Sequence, residues 1–257
     1  MIPFINIFLD NSGKKLYSVN VPASTIDACP RRAVCLAFFL LKRLSRMAKT
    51  RVSVYIDGFN LYHSTLQFAH PNHRWLNLME LSKRIINPKT EEISAVYYFS
   101  ALTTWKPEKA KKHLLYIHAL RTVGVKDILG KFTIRDRRCP LCTKSYQSHE
   151  EKKTDINIAI TLLADGIADK FDTALILSGD SDLTPAITKL KNLCPNKKVG
   201  IIVPKNQSAM NLKQHADFFK KIQDRDLKKS LLPEQVTYNG NIIIAPAGWL
   251  PKRNPIS

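Results

Sequence analysis

Long apolar runs are missing from this chain. The most apolar stretch, Ala33 to Leu41, lies between Arg31-Arg32 and Lys42-Arg43. It reaches about half of the ~20 residues that a membrane-spanning helix requires. It also makes a poor signal peptide, because the segment before it is too long and no small-residue cleavage site follows. Cysteine is sparse: Cys29, Cys35, Cys139, Cys142 and Cys194 are the five in 257 residues. An odd number at that density argues against a secreted disulfide framework and for a reducing cytoplasm. No Gly-x-Gly-x-x-Gly follows a strand to hold a dinucleotide, and no haem or non-haem iron ligand triad is evident. Internal repeats and low-complexity tracts are absent too.

Basic residues, in contrast, are abundant. The chain has 40 Lys+Arg against 21 Asp+Glu, a formal net charge of +19. That balance favours a polyanionic partner, either nucleic acid or an anionic membrane surface, over a merely solvated lysine face. Nucleic acid is the expected partner, and no membrane partner is expected. The 44% hydrophobic content suffices for one α/β domain with extensions. Residues 1–46 show no clear period, and Met47-Ala-Lys-Thr then precedes the first good strand. The expectation is therefore that residues 1–46 are a dispensable extension ahead of a start at Met47. Their removal takes away seven Lys+Arg and two Asp, so 33 Lys+Arg against 19 Asp+Glu remain.

From residue 51 onward strands and helices alternate. Val52 to Ile56, Ile93 to Phe99, Thr173 to Leu177 and Lys198 to Val203 read as strands, with Val125 to Ile134 a strand or hairpin. Helices are expected from Phe59 to Gln67, Trp75 to Ile86, Pro107 to Thr122, Asp155 to Ala168, Leu183 to Leu193 and Met210 to Lys221. Residues 135–153 read as a charged loop. The tail beyond Leu231 is rich in Pro, Gly and Asn, with one strand-like run from Ile242 to Ala245. The continuous apolar run Thr173 to Leu177 suits a strand covered on both faces. The expected fold is α/β, a mainly parallel central sheet with helices on both faces. The domain is expected over residues 50–215, with a C-terminal extension over 216–257.

In such sheets ligands collect at the carboxyl ends of the strands. Asp57 directly follows the first strand, and Asp180 and Asp182 follow the strand that ends at Leu177. Asp155 begins a helix, where its charge suits the helix dipole. Any one of these acids could simply cap a helix. As a set they suggest a carboxylate cluster whose mutual repulsion a hard divalent cation would relieve, with oxygen ligands selecting Mg²⁺ or Mn²⁺. In a basic protein such a cluster suits phosphodiester hydrolysis.

Tyr55-Ile-Asp-Gly-Phe-Asn60 resembles the first motif of NYN domains, relatives of the PIN-like nucleases. Glu151-Lys-Lys-Thr-Asp155 resembles their central motif, and Leu177-Ser-Gly-Asp-Ser-Asp182 their third. Order and spacing both agree, over roughly residues 50 to 215. The resemblance implies a PIN-like fold, Mg²⁺ or Mn²⁺, and an RNA substrate cut by an endoribonuclease. It implies that Asp57, Asp155, Asp180 and Asp182 are the metal-site acids, with Asn60 and Ser178 as supporting polar groups. Glu151 matches a motif glutamate of less certain role. The NYN scaffold is also associated with an NADH-dependent hydroxylase of 6-hydroxy-3-succinoylpyridine. The resemblance there extends to the Cys139 loop and the Leu231-Leu-Pro tail, so NADH stands as the cofactor of an alternative reading. A third reading is an RNA-binding module with a vestigial site, which the intact acids make the weakest.

Cys139-Pro-Leu-Cys142 is half of a zinc site, with His149 as a third ligand and no evident fourth, or else a reduced pair with no metal. Arg135, Arg137, Arg138 and Lys144 flank it, together with Lys131, and Lys152 and Lys153 precede Asp155. These basic residues are the expected nucleic-acid contacts, with Tyr146 placed to stack on a base. His113 and His118 are five apart on one helix, which is not a helical metal-pair spacing. They read as surface or core-edge residues.

Overall fold

The computed structural model describes residues 4–9, 15–20, 49–66, 71–203 and 209–251. The chain divides into two units, Met1–Lys49 and Thr50–Ser257. In the first, β1 (Phe4–Leu9) pairs antiparallel with β2 (Lys15–Asn20), a hairpin inside a segment whose sequence carries no clear period. Met47, the apolar run Ala33 to Leu41, Cys29 and Cys35 lie outside the described residues.

The second unit is built on a six-stranded sheet. Its strands are β3 (Thr50–Asp57), β4 (Glu91–Ser100), β5 (Lys126–Leu129), β8 (Thr173–Leu177), β9 (Lys198–Val203) and β10 (Phe218–Lys221). Their order is β10-β9-β8-β3-β4-β5, and every pairing is parallel. The chain builds outward from β3 to β5, then returns to lay β8 against the other side of β3. The ends of β3 and β8 therefore flank the switch point, where an open parallel sheet leaves a crevice. Side chains alternate across the sheet. Val52, Val54 and Ile56 of β3, with Leu175 and Leu177 of β8, join one core with Leu81, Ile117 and Leu120 from the helices Leu78–Ile85 and Pro107–Thr122. Tyr55, Ala174 and Ile176 join the other, with Ile158, Ile187 and Leu190 from the helices Thr154–Ile167 and Thr184–Leu193. Helices thus cover both faces. Among the described residues no helix is long and apolar enough to cross a membrane.

Several elements differ from the sequence expectation. The helix expected from Phe59 is a short α-helix, Gly58–Leu61, that loosens into a π-helical turn, Tyr62–Leu66. The helix expected from Trp75 begins only at Leu78, where the Asn77 side chain caps it by accepting the Glu80 amide at 3.0 Å. Trp75 to Asn77 instead bond to Ser230–Leu232, through Leu232 N–H to Trp75 O at 3.0 Å and Asn77 N–H to Ser230 O at 2.8 Å. Residues 131–152, expected to be largely loop, form an antiparallel hairpin of β6 (Lys131–Arg138) and β7 (Ser145–Lys152). Its strands are mostly exposed, so they carry no apolar alternation; cross-strand charge pairs replace it. The helix expected over Met210 to Lys221 stops at His215, and β10 follows. Asp217 explains the break, because its carboxylate accepts the Val199 amide at 2.7 Å and Lys191 Nζ at 2.7 Å. This pins the chain to the edge of β9. In the tail, β11 (Gln235–Tyr238) and β12 (Asn241–Ile244) form a hairpin.

Candidate functional site

The parallel register aligns Ile56 of β3 with Leu177 of β8. The residues that follow them, Asp57 and Ser178, therefore leave the sheet side by side. Both are buried, Asp57 with 5% of its surface exposed and Ser178 with none. Ser178 Oγ donates to Asp57 Oδ2 at 2.9 Å and accepts the Asp180 amide at 3.1 Å. One hydroxyl thus ties the first acidic loop to the second. Asp57 Oδ1 accepts the Asn60 amide at 3.0 Å, and Asp180 Oδ1 accepts the Asp182 amide at 2.9 Å. Both aspartates are therefore helix caps. A carboxylate offers about four lone-pair directions, so capping leaves each with capacity to spare. Gly58 permits the sharp exit from β3: a Cβ there would meet the Tyr98 ring at 2.6 Å and the Phe99 carbonyl oxygen at 2.8 Å.

Asp155 arrives from a third direction. Strand β7 ends at Lys152, Lys153 takes a left-handed conformation with φ 78, and the helix begins at Thr154. A non-glycine residue held there is strained. That conformation turns the chain from β7 into the helix and sets Asp155 in its first turn. Burial, followed by the charges of Asp180, Asp57 and Asp182, pushes the Asp155 carboxyl up to about 6. Asp57 is also raised, first by burial, against the opposing Asn60 amide and Ser178 hydroxyl; Glu151 and Asp180 push it further. Glu151 is raised by burial, with Asp155 and Asp180 adding to it and the neighbouring Thr154 opposing. Five carboxylates from β3, β7, the helix start and the loop after β8 thus act on one another. Among the described residues none of the five has a lysine or arginine ion pair, whereas Asp169 and Asp172, at the opposite edge of the sheet, hold Arg51 and Lys197. Nor do any three His, Cys, Asp or Glu side chains among the described residues already close around one point as metal ligands.

The basic hairpin is partly self-neutralised. Arg135 (3.3 Å), Arg137 and Lys152 (3.2 Å) all reach Glu150. Arg138 Nε donates to the Thr143 carbonyl at 3.1 Å. Lys131, Lys144, Lys153 and the half-exposed Tyr146 face outward. Cys139 and Cys142 lie in the turn of this hairpin, where the Cys142 amide, then the Leu141 amide and the Cys142 thiol, hold the Cys139 thiol below its ordinary range. His149 is not brought to them. It pairs with Ile134 well down the strands and stacks on Trp105 with ring centroids 3.8 Å apart.

The sequence reading missed a cavity of about 520 Å³ beside the acids. Gly58, Phe59, Ser100 and Ala101 form its wall at the ends of β3 and β4, and Tyr62, Arg74 and Trp249 contribute from elsewhere. The helix Pro107–Thr122 turns Lys109, Lys112, His113 and Tyr116 into it. Their i, i+3, i+4, i+7 spacing is one helix face, and that pattern was the available signal. His113, expected at a surface or core edge, donates to or accepts from the Tyr98 hydroxyl at 3.1 Å.

The NYN domain family matches residues 51–223. The chain is 24% identical over 204 residues to the 6-hydroxy-3-succinoylpyridine 3-monooxygenase HspA of Pseudomonas putida (strain DSM 28022 / S16), covering 66% of this chain and 64% of that protein. It thus spans just under two thirds of that relative's length. A crystal structure of a protein of unknown function from Vibrio parahaemolyticus RIMD 2210633 superposes with a TM-score of 0.49 at 20% identity, over 72% of this chain and 97% of the other. With the family match running from β3 to just beyond β10, across well over half of the chain, this protein belongs to the NYN domain family of PIN-like nucleases.

Proposed function

We propose that the protein is a divalent-metal-dependent ribonuclease that hydrolyses phosphodiester bonds at the acidic edge of its sheet. The observation that supports this most directly is the crowding of Asp57, Asp155, Asp180 and Asp182 without a lysine or arginine ion pair among the described residues; burial, and then these neighbouring charges, raise Asp155 to about 6. Uncompensated like charge in a basic protein calls for a counter-ion, and carboxylate oxygens select Mg²⁺ or Mn²⁺. The buried oxygens Asn60 Oδ1 and Glu151 Oε1, which make no hydrogen bond, fit the same need. The four aspartates would hold the cation, and there it would polarise the phosphate and make water more acidic. The chain's own groups do the rest. Ser178 and the Asn60 amide fix the Asp57 carboxylate, and Asp180 is fixed by the loop it caps. Glu151, raised by burial, is suited to take a proton from the attacking water. The exposed cations of the β6–β7 hairpin would meet the RNA backbone and make binding salt-dependent.

A second reading joins the monooxygenase name of the Pseudomonas putida relative to the hydroxylase resemblance of the sequence, which supplies the NADH: NADH-dependent hydroxylation of a pyridine on the same scaffold. One experiment separates the two. Purified protein is incubated with labelled single-stranded RNA with and without Mn²⁺, while NADH consumption is followed in parallel with a pyridine substrate. Mn²⁺-dependent cleavage supports the nuclease. NADH consumption without cleavage overturns it.

A further inference from the structure

The cavity beside the acids has no part in holding a metal, yet it is built to bind something. It shares the strand end that carries Asp57, since Gly58 and Phe59 are both acid-loop residues and cavity wall. Its volume of about 520 Å³ falls inside the ~300–1,000 Å³ range of small-ligand sites. Its lining combines two chemistries. Tyr62, Tyr98, Tyr116 and Trp249 supply aromatic surface, and Arg74, Lys109 and Lys112 supply positive charge against the single acid Glu108. Arg74 and Lys109 lie 5.5 and 5.7 Å from the Tyr62 ring centroid, so the charge is held at the aromatic wall. Arg74 Nε and Thr103 Oγ1 are buried and make no hydrogen bond. Buried polar groups normally find a partner, and both residues belong to the cavity lining.

We propose that this cavity is a base subsite: it takes the heteroaromatic base of the nucleotide next to the scissile phosphate, with Arg74, Lys109 and Lys112 meeting that nucleotide's phosphate. Naming the ligand as a nucleotide rests on the nuclease reading. The aromatic lining suits the π-face of any base, and the cations suit a phosphate. The Tyr98–His113 pair offers polar atoms to a base edge. Burial, and then Lys109, lower the His113 ring to about 4, so it meets the base as a neutral group. Gly58 and Phe59, which directly follow Asp57, line the cavity, and the Asp57 charge acts on the Tyr98 hydroxyl in its wall, so a nucleotide seated there would have its neighbouring phosphate beside that acid.

The test uses the full chain in EDTA, so that metal and cleavage play no part. Uridine and adenosine 5′-monophosphates are titrated by calorimetry and by quenching of tryptophan fluorescence. The expected result is one-to-one binding at least tenfold tighter than inorganic phosphate. Lys112→Ala should weaken it about tenfold, and Lys112→Arg should restore it. Because Lys112 is exposed, circular dichroism should show both variants folded. A second arm uses labelled RNA carrying one abasic nucleotide, where cleavage at that position should fall about tenfold relative to the intact strand. If mononucleotides bind as expected but no RNA is cut with Mn²⁺, the nuclease reading falls and the cavity assignment stands. The assignment is overturned if mononucleotides bind no better than phosphate. It is equally overturned if nicotinic acid binds and nucleotides do not.

Discussion

Ser178 donates its hydroxyl proton to Asp57 Oδ2 at 2.9 Å, across 121 positions of sequence. The same oxygen accepts the Asp180 amide at 3.1 Å. Removing it in Ser178→Ala leaves one buried carboxylate oxygen and one amide short of a partner, which costs about 1–3 kcal/mol for an unsatisfied buried group. The urea midpoint should fall accordingly with an unchanged slope. Metal affinity should fall too, since Asp57 loses one of the bonds that fix it. A midpoint equal to wild type would show that the hydroxyl is not a structural link.

Asp57→Asn and Asp180→Asn keep shape and remove one negative charge each. Mn²⁺ binding, measured by calorimetry, should weaken. RNA cleavage should fall by ~100-fold or more, because metal activation supplies several kcal/mol and each 1.36 kcal/mol is tenfold in rate. RNA retention on a filter should persist. Unchanged cleavage in Asp57→Asn would remove this residue from the reaction.

Asp155 provides the pH test. Its folded carboxyl is raised to about 6 from an ordinary 3.8, by burial and then by Asp180, Asp57 and Asp182. Between those values the folded state binds more protons than the unfolded one, so this group's contribution is present below pH ~4 and is lost as pH rises through 6. Metal-free Asp155→Asn should therefore melt above wild type at pH 7.5, and the difference should shrink toward pH 4. Added Mn²⁺ should reverse the order at pH 7.5, because only wild type keeps all four acids. Equal melting temperatures at both pH values would contradict the crowding.

On the hairpin, Glu150 holds Arg135, Arg137 and Lys152. Glu150→Gln frees these cations and should tighten RNA binding and steepen its salt dependence. The triple change of Arg138, Lys144 and Lys153 to Ala should do the opposite. Each lost phosphate contact lowers the slope of log K against log salt by ~0.7 for a single strand. Fluorescence anisotropy at several salt concentrations reads both, and slopes that do not move would place the RNA elsewhere.

Residues Thr50–Ser257 form a unit of their own, and a chain begun at Met47 contains all of it. Such a chain should keep the wild-type melting temperature and the same Mn²⁺-dependent cleavage. A fall of several degrees would show that residues 1–46 contribute to the fold.

Much of this architecture can be read along the chain. Val52 to Ile56 and Thr173 to Leu177 are short apolar runs that end in acids, and a parallel strand buried on both faces leaves that composition little alternative. Since the strand-end rule directs attention to carboxyl ends, the positions of Asp57, Asp180 and Asp182 after their strands could be read from the sequence, and so could the position of Asp155 at a helix start. These features are local: each depends on a residue's position within its own strand or turn.

Other features depend on contacts between distant segments. The β6–β7 hairpin has almost no apolar pattern, because its strands are mostly exposed and its side-chain pairing rests on charges that meet only across the strands. Phe218 and Phe219 read as part of a helix until Asp217 fastens the chain to Val199 and Lys191. His149 follows Cys142 closely in sequence, yet antiparallel register carries it away to Trp105. The cavity draws on the turn that follows β3, on Arg74, on the end of β4, on one helix face and on Trp249 from the tail, segments with no shared periodicity. Periodicity specifies which way a residue points from its own element. Which elements face one another across a cavity is decided by packing, and only the folded chain brings Trp249 to the same space as Tyr62 and Lys112.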